Sequence, residues 1–281
     1  MNRALQRQWA EALRARHLDG RVLLLPNAWD ALSAKLFAQA GFEAVATTSA
    51  GVSWALGYAD GQRAPWPEVV AATARMVRAA GVPVTADIEQ GFGDSSEALA
   101  RSIADIAQAG VVGFNLEDGT HDPRAPIRPT ALAAERIRVA RDAAEAAGVP
   151  MVINARTDLF LIGQGDARAQ FDESVERARA YVRAGADCVY PIGLADPAVI
   201  ERFAKAVGAP VNVMARPGMP SAAELQRLGV ARASTASRMA LVAMAGVRQT
   251  AQTLKASGAF DVLGGGMTHP EAQALFAQEP S

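Results

Sequence analysis

Short apolar runs recur along the chain, each introduced by a helix end and a glycine. Ala40-Gly41-Phe42, Ala80-Gly81-Val82-Pro83-Val84, Ala109-Gly110-Val111-Val112, Ala147-Gly148-Val149-Pro150-Met151, Ala184-Gly185-Ala186-Asp187 and Val207-Gly208-Ala209-Pro210-Val211 all follow this grammar. The glycine can take the left-handed conformation that closes a helix, and the β-branched residues after it favour extended chain. Val22-Leu23-Leu24-Leu25 at the start and Arg232-Ala233-Ser234-Thr235 near the end bring the strands to about eight, the number that closes a barrel. Continuous apolar runs suit parallel strands covered on both faces. The pattern predicts an α/β fold, a (β/α)8 TIM barrel. An open doubly wound sheet is the alternative, but it wants a Gly-rich phosphate turn after its first strand. Pro26-Asn27-Ala28-Trp29-Asp30 is not one.

Helix starts are marked as well. Asp196 before Pro197 reads as a cap with a first-turn proline, and Ser221 with Glu224 as a capping box. With no compositional break, residues 1–281 are expected to form a single barrel domain: an N-terminal helix within 1–20, the barrel over 21–258, and a hinge and C-terminal helix over 259–281. The hinge is assigned to Gly264-Gly265-Gly266 and the last helix to about Pro270 to Gln278.

Composition removes several classes of function. A net charge of -1 and a pI near 6.3 leave no basic field for nucleic acid or an anionic membrane. No run approaches the roughly 20 apolar residues that span a bilayer, and the charged segment from Met1 to His17 lacks the apolar core of a secretory signal. The cytoplasm is the expected compartment. Cys188, the single cysteine, excludes a disulfide framework and reads as a small core residue.

The strand ends carry the chemistry. Thr85, Asp87 and Glu89 alternate after Val82-Pro83-Val84, so an extended chain would point them the same way. The next runs end on Glu117-Asp118 and on Arg156-Thr157-Asp158. Charge at the ends of buried strands is costly unless something binds there, and the carboxyl ends are where such a barrel keeps its site. Asp87, Glu89 and Glu117 form an oxygen-rich set suited to Mg2+, with Mn2+ as the alternative. Glu89 as a loop residue and Asp87 as a turn cap are the plain readings. Arg156 offers a planar fork for one carboxylate of a small acid, or a structural pair with Glu117 or Asp158. The small-residue loop Thr47 to Ser53 lets backbone amides approach a ligand, with the Ser49 hydroxyl beside them. Asp60 reads as a metal partner or a turn former. Lys35, Lys205 and Lys255 all fall in helical patterns, which disfavours a Schiff-base aldolase. The turns at Ala215 to Gly218 and Ala236 to Arg238 lack a phosphate cradle.

From about Leu25 to Arg238 the chain resembles the isocitrate lyase / phosphoenolpyruvate mutase superfamily. The motifs are Pro26 to Asp30, Thr48-Ser49-Ala50-Gly51, Tyr58-Ala59-Asp60-Gly61, Ala86-Asp87 with Gly91-Phe92-Gly93, Leu116-Glu117-Asp118, Asn154 to Asp158 and Val211-Asn212-Val213. The resemblance implies a barrel whose last helix is swapped between subunits, in dimers that pair into homotetramers. It also implies Mg2+ chemistry on small 2-oxo or 2-hydroxy acids through an enolate. By position it puts Ser49, Ala50 and Gly51 in the substrate loop, Asp60, Asp87 and Glu117 around the metal, and Arg156 and Asn212 on the substrate.

Two departures matter. Thr85-Ala86-Asp87 stands where the family usually shows Asp-x-Asp, and Glu89 is the candidate replacement. The lid, Gly119 to Pro129, has neither the cysteine nor the lysine of the lyase motif Lys-(Lys/Arg)-Cys-Gly-His. His121 is then the candidate acid or base, with Tyr58 and Tyr190 as weaker ones. The expectation is a lyase or decarboxylase acting on an oxaloacetate-like 2-oxo acid, with Arg156, Glu117 and His121 as catalytic residues and no nucleic-acid or membrane partner. The alternatives are carbon-phosphorus cleavage of a phosphonopyruvate-like substrate, with Arg124 or Arg128 as the cations, and a 2-oxo acid binding protein without turnover.

Overall fold

A computed structural model of the chain describes residues 2–120, 122–163 and 166–277. Helix α1 (Arg3–Arg16) precedes β1 (Leu23–Leu25) and β2 (Asn27–Ala28), and α2 (Ala31–Gln39), β3 (Val45–Thr47), α3 (Ser49–Ala55) and α4 (Trp66–Ala80) follow. Next come β4 (Val84–Asp87), α5 (Ser96–Gln108), β5 (Gly113–Glu117), α6 (Thr130–Ala146), β6 (Val152–Thr157), α7 (Leu159–Ile162) and α8 (Ala167–Arg183). The series ends with β7 (Cys188–Pro191), α9 (Pro197–Val207), β8 (Asn212–Met214), α10 (Ala222–Arg227), β9 (Arg232–Ser234), α11 (Arg238–Ser257) and α12 (His269–Phe276).

Every strand pairing is parallel. One sheet runs β2-β3-β4-β5-β6-β7 and the other β1-β9-β8. Pro26 alone separates β1 from β2, so the two are one strand whose halves face different neighbours. A parallel bridge between Val189 and Val211 joins the sheets on the other side. The result is the closed (β/α)8 barrel that the repeat predicts. The six glycines of the repeat all take positive φ, between 66° at Gly81 and 108° at Gly185. Asp196 and Ser221 cap α9 and α10 with the expected bonds.

Most of the apolar core lies between strands and helices, with Leu23, Leu25 and Val152 turned inward by their register with Arg232, Ser234 and Gly113. Phe114, Ile153, Val189, Val213 and Ala233 are buried at outward positions, while inward positions carry Thr85, Asn115, Asn154, Cys188, Asn212 and Arg232, all buried. Asn154 donates to Asn115 at 2.7 Å, and Arg232 reaches Asn115 at 3.4 Å. Since β9 and β5 are not neighbours, that last contact crosses the lumen. The strands therefore alternate, in contrast to the uniformly apolar runs expected. Cys188 is buried as expected, on the inward face.

Helix α1 covers the amino-terminal ends of the strands. Gln6 donates to the carbonyls of Ala107 and Val111 at 2.8 Å each, and Arg14 pairs with Asp187 at 2.8 Å. The opposite end is left for the site.

Asn27 closes the seam that Pro26 interrupts. Its amide donates to the Thr47 carbonyl at 2.7 Å and accepts from the Thr235 N–H at 2.9 Å, tying β3 to the segment after β9. Asn27→Ala would strand both groups in a dry seam, and a loss of about 2–4 kcal/mol in chemical denaturation is expected.

Candidate active site

Register assembles the site in layers. Glu117, Arg156 and Tyr190 are partners across β5, β6 and β7, and Asp87, Asn115, Asn154 and Cys188 form the layer below. Register partners in parallel strands project to one face, so these side chains gather at the carboxyl end of the barrel. Arg156 is the hub. Its Nη1 lies 2.8 Å from Glu117 Oε2, and its Nε and Nη2 contact the Asp158 carboxylate at 2.6 and 3.0 Å. Both structural pairings foreseen for it are present at once. Those contacts use three of the five N–H donors of a guanidinium, leaving two to offer.

Carboxylates outnumber cations here. Burial pushes the Glu117 carboxyl well up, Arg156 pulls it down, and the charges of Asp158, Asp87 and Glu89 push it up again. Glu89 is raised to about 8 by burial and by the neighbouring charges of Asp87 and Asp60, against the opposing effects of the Gln62 N–H and Arg156. Burial works against the Arg156 charge, but Glu117, Asp158 and Asp87 outweigh it and hold the guanidinium firmly protonated.

Glu89 reaches this cluster by a different route from the one its spacing suggests. Strand β4 ends at Asp87, and Glu89 sits in a turn with φ 50°. Alternation therefore stops before it. Its carboxylate accepts from the Gln62 N–H at 2.9 and 3.1 Å, and Gln62 itself has φ 57°. Backbone strain of this kind gathers at functional sites.

The stretch around Ser49 is helical instead of a loop, because Thr48 caps α3 and accepts from the Gly51 N–H. Ser49 donates to Asp87 Oδ2 from its hydroxyl at 2.9 Å and from its N–H at 3.2 Å. Two of the three amides expected to face a ligand are thus engaged within the protein. Gly51 serves packing: a Cβ there would lie 2.6 Å from Thr48 Cγ2 and 2.8 Å from Trp29 Cβ. Asp60 is exposed but near enough to raise Glu89. Asn212 lies wholly inside the barrel, with its amide bonded to Ser234 at 3.0 Å. His121 lies outside the described residues. Of the lid cations, Arg124 is exposed and paired with Asp122, while Arg128 is tied to the Gly119 carbonyl at 2.8 Å and Gln90 at 2.9 Å.

Residue spacing did not reveal what holds Arg156 in place. Buried Asp118 accepts from Tyr181 at 2.5 Å and from Arg177 at 3.3 Å, and its other oxygen accepts from the Asp158 N–H at 2.9 Å. Asp158 in turn grips Arg156. The only trace in the chain is the second acid of Glu117-Asp118, which points away from the site to the helix behind it. Gly119 leaves room for this arrangement, because a Cβ there would collide with Asp158 Oδ2.

As for a metal, Asp87 Oδ1 is buried without a hydrogen-bond partner. Among the described residues, no three acid, histidine or cysteine side chains already surround one metal-sized point. Asp87, Glu89 and Glu117 share a field, not a finished coordination sphere.

The model of the family described as phosphoenolpyruvate phosphomutase matches residues 13–255. This chain belongs to that family. Its relatives within the isocitrate lyase / phosphoenolpyruvate mutase superfamily include the 2-methylisocitrate lyase of Escherichia coli (strain K12), 30% identical over 208 residues that cover 72% of this chain and 68% of that protein. An uncharacterized protein of Mycobacterium tuberculosis (strain ATCC 25618 / H37Rv) is 35% identical over 221 residues, covering 79% and 80%. Among solved structures, a candidate lyase/mutase of Burkholderia cenocepacia J2315 superposes with a TM-score of 0.91 at 37% identity over 99% of both chains. A 2,3-dimethylmalate lyase superposes with a TM-score of 0.84 at 26% identity over 95% and 94%. The chain is thus an enzyme of the isocitrate lyase / phosphoenolpyruvate mutase type.

The raised Glu89 carboxyl has a measurable consequence for the metal-free enzyme. Its protonated form is favoured by folding, so its contribution is complete below the ordinary glutamate range and is lost as pH rises through about 8. In chelator, the melting temperature is expected to fall between about pH 5 and about pH 8, and less so in Glu89→Gln.

Proposed function

We propose that this family member is a Mg2+-dependent lyase, with Mn2+ as a substitute, that cleaves a carbon-carbon bond of a small 2-oxo acid of the oxaloacetate type through an enolate. The observation that carries the reading is the excess of buried carboxylate around one arginine at the strand ends: Asp87, Glu89, Glu117 and Asp158 against Arg156. Such an excess is relieved by protonation, as at Glu89 in the metal-free enzyme, or by a further cation. Mg2+ keeps several waters and needs few direct protein oxygens, which suits a site where Asp87 Oδ1 is unpartnered and the other acids stand near it. Asp87, Glu89 and Glu117 would hold it, and it would polarise the 2-oxo carbonyl and favour the charge that develops there.

The chain's own residues supply the remainder. Arg156 turns its two unused N–H donors to the substrate carboxylate while Glu117 and Asp158 keep its plane fixed. Ser49 holds Asp87 in one orientation, so its free oxygen is not spent on a local turn. An antiparallel bridge between Gly119 and Ile127 closes the base of the segment that follows β5. Neither Arg124 nor Arg128 is a free cation, which favours carbon-carbon over carbon-phosphorus cleavage.

Arg156 should be tested without emptying its pocket. Arg156→Ala leaves Glu117 and Asp158 buried and unpaired, at about 3–5 kcal/mol of stability. Arg156→Lys keeps the charge but loses the fork, and a KM raised about 10- to 100-fold with a near-normal melting temperature is expected. The assay is a panel of oxaloacetate and related 2-oxo acids with and without Mg2+, scored for product and for melting shift. A shift without product in every arm would favour a binding protein, and phosphate release from phosphonopyruvate would favour the carbon-phosphorus reading.

Assembly belongs to the same proposal. Helix α11 buries only Ala240 in this chain and exposes Val242 (70%) and Val247 (72%), while Leu24, Leu32 and Leu36 are exposed on the barrel wall near β1 and α2. Apolar surface of that extent marks an interface. We assign it to exchange of the carboxy-terminal helices between subunits of a dimer or tetramer, the glycines at 264–266 acting as the hinge. Val242→Asp with Val247→Asp should shift the protein to monomer in sedimentation. No described helix is long and apolar enough to cross a membrane, and a cytoplasmic location remains part of this proposal.

A further inference from the structure

Inside the barrel stands a hydroxyl that no part of the fold uses. Tyr190 is the register partner of Arg156 on β7, so its ring projects from the face that carries the guanidinium. The residue is 3% exposed, and its hydroxyl is buried without a hydrogen-bond partner. Ser234 is close enough to act on it but is bonded to Asn212 instead. An unmatched cation lies near the unmatched hydroxyl: Arg232 is fully buried, its Nε and Nη1 have no partner, and its charge and that of Tyr190 act on each other. Buried groups left unpaired are costly, and their persistence calls for a use. The lid carries neither the cysteine nor the lysine of the lyase motif, which opens the proton-donor role to groups of the barrel itself.

We propose that Tyr190 is the proton donor of this site, delivering its hydroxyl proton to the carbon of the enolate left when the substrate bond breaks. The proposal rests on the enolate reading given above. In the step, the enolate carbon-carbon π pair forms the new C–H bond and the enolate oxygen returns to a carbonyl. The Tyr190 O–H bond breaks with its electron pair kept on the phenolate oxygen. Arg156 and Arg232 flank that phenolate, and a proton from water restores the phenol. Burial holds the resting phenol up at about 12, so the donor form prevails at neutral pH. Arg232 feels the Asp87 charge at rest, and a phenolate on Tyr190 gives it a second counter-charge during turnover.

The reverse of this step is observable without the full reaction. In D2O with Mg2+, the wild-type enzyme should exchange the C3 protons of pyruvate or 2-oxobutyrate, followed by proton NMR. Oxalate, a planar dianion shaped like the enolate, serves as the binding probe in calorimetry. Tyr190→Phe removes a hydroxyl without a partner and keeps the ring, so it should fold normally. It should hold oxalate within about threefold of wild type and lose at least about 100-fold in exchange. Exchange within about threefold of wild type overturns the proposal, as does a fall in oxalate affinity that matches the fall in exchange and reduces Tyr190 to a binding group. Absence of exchange in the wild type removes the enolate reading itself, and the Tyr190 role with it; that failure is read on the wild type, the former on the variant.

Discussion

A single guanidinium decides whether the carboxyl end of this barrel can exist. Buried Glu117 and half-buried Asp158 stand side by side, and Arg156 between them converts mutual repulsion into two ion pairs. In a region where charge is poorly solvated, that neutralisation is the condition for everything above it. The pairing is itself anchored from outside the barrel, because Asp118 hangs from Tyr181 and Arg177 on α8 and holds the Asp158 backbone. The geometry around Arg156 is thus set by a helix behind the barrel wall. The ion pairs are balanced, while Asp87 keeps one buried oxygen without a partner and burial with the neighbouring acids raises Glu89 to about 8.

Much of this was legible in the residues because barrel physics writes itself in periodic form. The Gly stops announced the helix ends, and strands ending in Asp87, Glu117 and Arg156 announced the site, since charge at the end of a buried run has few structural explanations. What escaped has physical causes. Glu89 joins the cluster through a left-handed turn at a residue with a side chain, and nothing in the spelling of Ile88-Glu89-Gln90 marks it. The Gln62 amide that meets it belongs to the backbone and leaves no side-chain signature. The helical start at Ser49 was there to be read in the Thr48 cap, but small residues drew attention to the amides. Inward polarity also hid, because strands of three to six residues are too short for period-two alternation to stand out.

That inward polarity distinguishes this barrel from one packed with aliphatic layers. Asn27, Asn115, Asn154, Asn212 and Arg232 line the lumen with amides and one cation: Asn115 joins Asn154 and Arg232, Asn212 pairs with Ser234, and Asn27 with Thr47 and Thr235. Such a filling is stable only when its bonds close, so it resists small substitutions and rigidifies the strands that carry the site. The Tyr190 hydroxyl and two Arg232 nitrogens stay open in it, as do Thr85 Oγ1 and Asn154 Oδ1.

Gly119 carries a consequence for how this scaffold can change. Its missing side chain is the space occupied by the Asp158 carboxylate, so the root of the lid is bolted to the charged platform, and Arg128 pins the other end to the Gly119 carbonyl. Between these posts Thr120, Asp122 and Arg124 bond within the insert itself. A lineage, or an engineer, can therefore rewrite that short insert and choose a new reactant while the machinery underneath stays the same, provided both posts remain.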